Sequence, residues 1–472
     1  MPNLTKVVPR IAVAGPSKVV TDAAVVAGEE GGSVVDTAIV AALTAMCTEP
    51  GVCGPGGGGF MAIDIPGEDP VVIDGYMAYP GRGFLGEPYL REITMPYGGG
   101  VTTLVDAGSI AVPGGFAALE MASEMFGAIP WQILAETVAD ALEDGFPLSP
   151  ACHLYLNDGA APIFASDPVA RKALLDGEAS HPLGSQIIFP GLTDTLRYIG
   201  GQGAGVFYRG DLAQAIVDDL ADRGGQLTGE DMESYRAKAR KPLAGSLRGW
   251  RLAMNPAPAV GGVMVARTLD LVDRPDDAGL ARALISAFRE RRDATFRSSS
   301  TISVAAADSQ GGVVAASYSA GYGSGVIPKG TGMLMNNSVG ELELLSGTGT
   351  PGERMTSNMA PTVARRGGDA VAIGSPGADR ITTAVATTLI GLSEGESLRA
   401  AIDHPRIHPE FGDFGVRVAA EPGLDLTQAG VDVREFEGLH MYFGGVNGAG
   451  FLDDDLHAYA DPRRTGSVAF TG

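Results

Sequence analysis

The stretch "TISVAAADSQGGVVAASYS", Thr301 to Ser319, constrains the fold more than any other part of the chain. Small apolar residues alternate through both halves, and Asp308 to Gly311 between them is a turn cluster, so the segment reads as an antiparallel hairpin. Ser298, Ser299, Ser300 and Thr301 put four consecutive hydroxyls at its mouth. They either cap a strand on the surface or bring a hydroxyl to a carbonyl, and the hairpin alone does not decide between the two.

The rest of the chain narrows the setting. Its 472 residues, 45% apolar, suffice for one large domain or two smaller ones. A net charge of −22, from 34 basic and 56 acidic residues, excludes a nucleic-acid surface. Cys47, Cys53 and Cys152 are odd in number and in no metal spacing, which favours reduced structural thiols over disulfides or zinc. The first residues lack the unbroken apolar run of a secretion signal, and "VVDTAIVAALTAM", Val34 to Met46, is too short to span a bilayer and carries Asp36. The expectation is a soluble, cytoplasmic protein with that segment as a buried helix.

After this helix comes "EPGVCGPGGGGFMAIDI", glycine-rich and then strand-like. It is not a phosphate loop, because Phe60-Met61 stands where Lys-Ser/Thr belongs, and it reads as the wall of a site. Helices are expected near 115–126, 131–143, 212–221, 279–289 and 380–392, and strands near 71–74, 249–254, 301–308, 312–319 and 370–373. Helices mixed with hairpins indicate an α+β fold rather than repeated βαβ units. The charged piece "RERRDATFRSSS" is either an exposed connection or a processing segment.

The order of motifs is more specific than any one of them. "GGSVVDTAIVAAL", "EPGVCGPGGGGF", "IDGYMAYP", "GSIAVPGGFAALE", "FYRG", "PAPAVGG", "GSGVIPKGTGMLMNN", "MTSNMAPTV", "GSPGADRI", "IDHPRIHPE" and "DPRRTGSVAF" follow one another over most of the chain. This set resembles the gamma-glutamyltranspeptidase family of N-terminal nucleophile hydrolases. The resemblance implies a four-layer αββα sandwich, self-cleavage of one precursor, and a new amino-terminal residue whose hydroxyl attacks while its own α-amine serves as base.

Aligning "TISV" with the family's cleavage segment places Ser299 at the nucleophile position, with Ser300 and Thr301 as alternatives, and Thr301 where the family has a histidine. Cleavage would divide the chain into a 1–298 large-subunit-like part and a 299–472 small-subunit-like part that stay together as one intertwined domain. The same registration puts Ser317 and Ser319 where the family has Thr and Asn, near the nucleophile and the substrate amine. "GSPGADRI" matches Gly-Ser-Pro-Gly-Gly, so the N–H groups of Gly377 and Ala378 are the implied oxyanion donors.

The implied donor-binding residues are altered. Tyr76 in "DGYM" replaces the arginine that grips the donor α-carboxylate, and a phenol supplies no bidentate charged clamp. Ser338 in "NNSVGE" replaces an acid that holds the donor amine, while Glu341 keeps the second acid, and Ser357 and Asn358 stand for a pair of wall serines. These changes turn the expectation from γ-glutamyl donors toward another small amide, with water as acceptor and neither metal nor organic cofactor. A standard γ-glutamyl hydrolase and an uncleaved binding homologue are the alternatives, and assembly into a homo-oligomer stays open. His404 and His408 are four apart, but Pro405 and Pro409 and the missing glutamate argue against a zinc helix. Asp453 to Asp455 read as a solvated turn.

Overall fold

The computed structural model describes residues 9–96, 100–291, 301–342, 349–412 and 415–472. The hairpin is its centre. Ile302–Asp308 pairs with Val313–Ser319, Ile302 opposite Tyr318 and Ser303 opposite Ser317. At the turn, Asp308 Oδ1 accepts the N–H groups of Gln310 and Gly312 at 2.8 and 2.9 Å.

Both hairpin strands are buried on both faces. They lie inside a seven-stranded antiparallel sheet ordered Lys238–Arg240, Val71–Gly75, Gly58–Asp64, Val313–Ser319, Ile302–Asp308, Ile11–Gly15, Ser467–Phe470. Segments from before and after residue 298 are therefore interleaved within one sheet, the hairpin lying between Gly58–Asp64 and Ile11–Gly15. Because side chains alternate along a strand, Val304, Ala306, Val314 and Ala316 join the helix-side core, while Ala305, Ala307, Val313 and Ala315 face a second sheet. Alanine there leaves little room, and enlarging one of these residues would cost about 1–3 kcal/mol through overpacking.

The second sheet has six antiparallel strands, ordered Leu243–Leu247, Trp250–Met254, Thr362–Arg366, Asp369–Gly374, Asn447–Leu452, Asp455–Ala460. Helices Gly261–Leu271 and Arg380–Ser393 cover it with Val265, Leu269, Ile381, Ala384 and Val385. Helices Lys18–Glu29, Val34–Thr48 and Gly115–Phe126 cover the first sheet, completing the helix–sheet–sheet–helix order expected from the motifs.

The Val34–Thr48 helix is buried throughout. Asp36 sits at its start in a capping box: Ser33 N–H donates to Asp36 Oδ2 at 2.8 Å, and Asp36 N–H donates to Ser33 Oγ at 3.2 Å. Some expected boundaries shift. The Asp277–Arg291 helix is longer at both ends than 279–289, because Asp276 Oδ1 accepts Gly279 N–H at 2.7 Å and because Arg289 and Arg291 complement the helix C-terminus. "RER" thus belongs to this helix, and residues 292–300 lie outside the described residues. The first hairpin strand starts at Ile302, one residue later than expected. Among the described residues no helix is long and apolar enough to cross a membrane.

Candidate active site

The end of the hairpin nearest the hydroxyl run is held against the second sheet. Thr301 is buried at the entrance to its strand, while Ser299 and Ser300 lie outside the described residues. Asn447 Nδ2 donates to the carbonyl and hydroxyl oxygens of Ser303 at 2.8 and 3.2 Å, fixing the first turn of chain after Thr301. Ser317, directly across from Ser303, is fully buried, and its Oγ has no hydrogen-bond partner among the described residues. Gly374 lies over both serines. A Cβ there would come within 3.1 Å of Ser303 Cβ and 3.3 Å of Ser317 Oγ, a tight fit that a side chain would relieve only by moving the serines by a few tenths of an ångström.

Gly374 leads into the turn "SPGAD". Ser375 Oγ donates to Pro376 O at 2.8 Å and accepts Gly445 N–H at 3.2 Å. Gly377 has φ +126° and Ala378 has φ +62°, unusual for a residue with a Cβ. Both are buried, and among the described residues neither N–H donates a hydrogen bond. Unpaired buried amides are rare, so two in succession where an oxyanion hole was expected are informative. Asp379 follows, bonded to Arg380 and 3.5 Å from His408. Burial alone would raise its carboxyl, but His408 and Arg380 outweigh that and hold it far below the usual range, so it is ionised.

The remaining expected residues form two buried walls. Tyr76 stacks on Phe60 with ring centres 5.4 Å apart, and its phenol lies in hydrogen-bonding reach of Ser357. Burial, with Glu341 adding to it, pushes the phenol well above its usual range, so Tyr76 is a neutral polar group. Ser357 Oγ accepts Met359 N–H at 3.1 Å, and Asn358 Oδ1 accepts a hydrogen bond from Arg291 Nη2 at 2.6 Å. On the other wall, Ser319 Oγ accepts Gly321 N–H at 3.0 Å, Glu341 packs beside Gly321, and Ser338 Oγ is buried without a partner among the described residues. The glycine-rich loop backs this wall. Asn336 Nδ2 donates to Gly56 O at 2.7 Å, and a Cβ on Gly57 would lie 2.3 Å from Ser319 O.

A narrow cleft of about 30 Å³ opens beside the hairpin end, lined among others by Glu49, Thr301, Ser303, Pro376 and Asn447 and by none of the wall residues. A larger recess of about 360 Å³ near Arg171 and Lys172 includes none of the expected residues and is a surface feature. His404 and His408 do not meet. His404 Nε2 lies 3.2 Å from Asp277 Oδ1, while His408 Nδ1 shares a proton with Thr383 Oγ1 at 3.0 Å. Among the described residues no group of three His, Cys, Asp or Glu side chains is placed to hold a metal.

The family model for gamma-glutamyltranspeptidase matches residues 21–284 and 282–471. The chain belongs to the gamma-glutamyltranspeptidase family. It is 28% identical over 443 residues to the acylase ACY 1 proenzyme of a Pseudomonas species, covering 81% of this chain and 79% of that one. It is 25% identical over 535 residues to the glutathione hydrolase proenzyme of Pseudomonas aeruginosa, covering 96% and 93%. The cephalosporin acylase structure from Bacillus halodurans superposes with a TM-score of 0.79 at 21% identity, over 99% of this chain and 97% of that one, and shows the shared fold.

Within this transpeptidase-family site, three contributors were not read from the sequence: Arg291, Asn447 and Glu49. Arg291 falls in a charged run of the sequence, and its contact with Asn358 crosses 67 positions. Asn447 carries no local motif. Glu49 stands at the head of the glycine-rich segment, where a carboxylate before a buried apolar loop is itself a signal.

Proposed function

We propose that the protein is a self-processed amidohydrolase that cleaves a small amide whose acyl part is not a standard γ-glutamyl group. The pair of unpartnered amides at Gly377 and Ala378, next to Pro376 in the cleft that Thr301 lines, is the observation that carries this reading. Donors fixed in advance where negative charge develops are worth most in a site shielded from water.

In this mechanism a hydroxyl at the head of the hairpin attacks the donor carbonyl, with Ser299 first in order and Ser300 or Thr301 as the other registers. The free α-amine of the same residue takes the proton, and the amides of Gly377 and Ala378 hold the oxyanion. The leaving amine departs with that proton, and water then releases the acyl group. Ser317 lies across from Ser303, two residues into the strand, and supplies a hydroxyl to orient the reacting end. The two fragments stay together because their strands are interleaved in one sheet.

Donor choice follows from Tyr76 and Ser338. A buried carboxylate without a cation at position 76 must find other donors, and the amine side keeps only Glu341. The acylase relative supports the same direction. Matched anilides on verified mature enzyme test it: neutral or differently charged acyl groups should exceed γ-glutamyl in kcat/KM, and a clear γ-glutamyl preference would refute the donor assignment.

A further inference from the structure

The Gly377 and Ala378 N–H groups have no partner among the described residues, so what aims each of them is the other half of its peptide. A trans peptide is planar, and its C=O and N–H point in opposite directions. Whatever holds the carbonyl therefore sets the direction of the amide. The Ala378 N–H shares its peptide with Gly377 O, which accepts Arg380 N–H at 3.0 Å at the start of the Arg380–Ser393 helix. The Gly377 N–H shares its peptide with Pro376 O. Among the described residues that carbonyl has one donor, Ser375 Oγ at 2.8 Å.

Ser375 is fully buried, and its hydroxyl acts there as donor and acceptor at once. Gly445 N–H donates to Ser375 Oγ at 3.2 Å, and the hydroxyl passes the chain on to Pro376 O, each bond polarising the next. The far end is anchored too, since Val446 N–H donates to Asp461 Oδ2 at 2.9 Å. Packing holds the same peptide. A Cβ on Gly444 would lie 2.6 Å from Pro376 O and 2.8 Å from Ser375 Oγ, so the backbone meets the carbonyl directly. Gly377, at φ +126°, restricts its own torsions least of any residue, and without the Ser375 bond its amide is free to turn.

We propose that Ser375 is a positioning residue for acyl transfer, aiming the Gly377 N–H through Pro376 O, an inference that rests on the oxyanion role proposed above for that amide. No bond to Ser375 forms or breaks in this role. As the donor carbonyl oxygen gains negative charge, an amide already pointing at it stabilises the charge without reorganising. The Ala378 amide is held by the helix backbone, whereas the Gly377 amide is held by a side chain, so only the second can be released by one substitution.

The test compares the unchanged protein with Ser375→Ala on a neutral short-chain acyl anilide, with rates referred to the mature fraction found by intact mass. Loss of one oxyanion donor costs about 10²–10³ in kcat, so a donor kept in place but no longer held should cost about tenfold or more. KM should stay within about twofold, because the amide serves the charge of the transition state rather than the bound substrate. Inhibition by a short-chain alkylboronic acid, whose tetrahedral adduct puts an oxygen where the oxyanion forms, should weaken by the same factor as kcat/KM. A kcat within about twofold of the unchanged protein would overturn the inference and leave the amidohydrolase reading standing. So would a loss of kcat with boronate inhibition unweakened, which would make Ser375 a packing residue. A folded variant that no longer cleaves itself would place the serine in maturation and overturn its assignment to turnover. If Ser375→Ala does not fold, Ser375→Cys, which keeps the shape but donates weakly, decides by the same criteria. An unchanged protein that hydrolyses no anilide of any acyl charge would remove the proposed function and this inference together.

Discussion

Arg291, on the last turn of the Asp277–Arg291 helix, donates from Nη2 to Oδ1 of Asn358 at 2.6 Å. Burial draws this guanidinium's pKa down while the ionised Asp379 beside the Gly377–Ala378 turn opposes the shift. A cation thus stands between the Ser357–Asn358 wall and the Gly377–Ala378 turn, although none stands at position 76.

Arg291 should therefore discriminate among donors by acyl charge. A charge-assisted hydrogen bond contributes about 1.5–3 kcal/mol, so Arg291→Ala should lower kcat/KM for carboxylate-bearing acyl anilides by about tenfold or more. Neutral acyl anilides should change less than about twofold, as expected when only binding of the charge is lost. Equal losses for both would show that Arg291 supports the turn rather than the donor.

Ala378 holds a left-handed backbone that a Cβ disfavours by about 1–2 kcal/mol. Ala378→Gly removes that strain but adds freedom to the unfolded chain, which offsets about 0.4–1 kcal/mol of the gain. The variant should be slightly more stable in urea unfolding and should keep its activity, since the role needs only the N–H. A large loss of activity with retained stability would mean that the Cβ packs the site.

The "DPRRTG" segment closes a buried charge network. Asp461 bonds Arg406 and Arg463, and Arg463 also bonds Glu421, all four side chains being almost fully buried. Burial alone would raise the Asp461 carboxyl, but Arg406 and Arg463 outweigh it and hold it below its usual range. A depressed value means that its stabilisation is present above the unfolded carboxyl value, about pH 4, and is lost as pH falls below it. Asp461→Ala should cost about 3–5 kcal/mol in denaturant unfolding by leaving buried guanidinium charge. A cost near zero would show that Glu421 alone balances both arginines.

The fold was legible where side-chain period and burial agree. The hairpin at Ile302–Ser319 and the helix at Val34–Thr48 could be read because each is apolar in its own period and bounded by a turn or a cap. The glycine-rich loop 54–59 could be excluded as a phosphate loop from the next two residues, but the role of Gly57 in letting the Ser319 backbone approach needed the neighbouring strand. Motif order points to Tyr76, Ser338, Ser357 and Asn358, whereas no motif points to Arg291, Asn447 or Glu49. Their partners lie far away in the chain, and no local pattern records a contact made by folding. The nucleophile register is also not legible, since Ser299, Ser300 and Thr301 share one chemistry and adjacent positions.

Self-cleavage at the head of the hairpin is the claim on which the rest depends. Freshly purified full-length protein, followed by intact mass and amino-terminal sequencing of any fragment, tests it directly. Fragments of about 298 and 174 residues with a new terminus at Ser299 are expected, releasing the α-amine that serves as base. A terminus at Ser300 or Thr301 would move the nucleophile while keeping the chemistry. Persistence of the single intact chain under conditions that support activity would rule out self-cleavage as the route to the nucleophile.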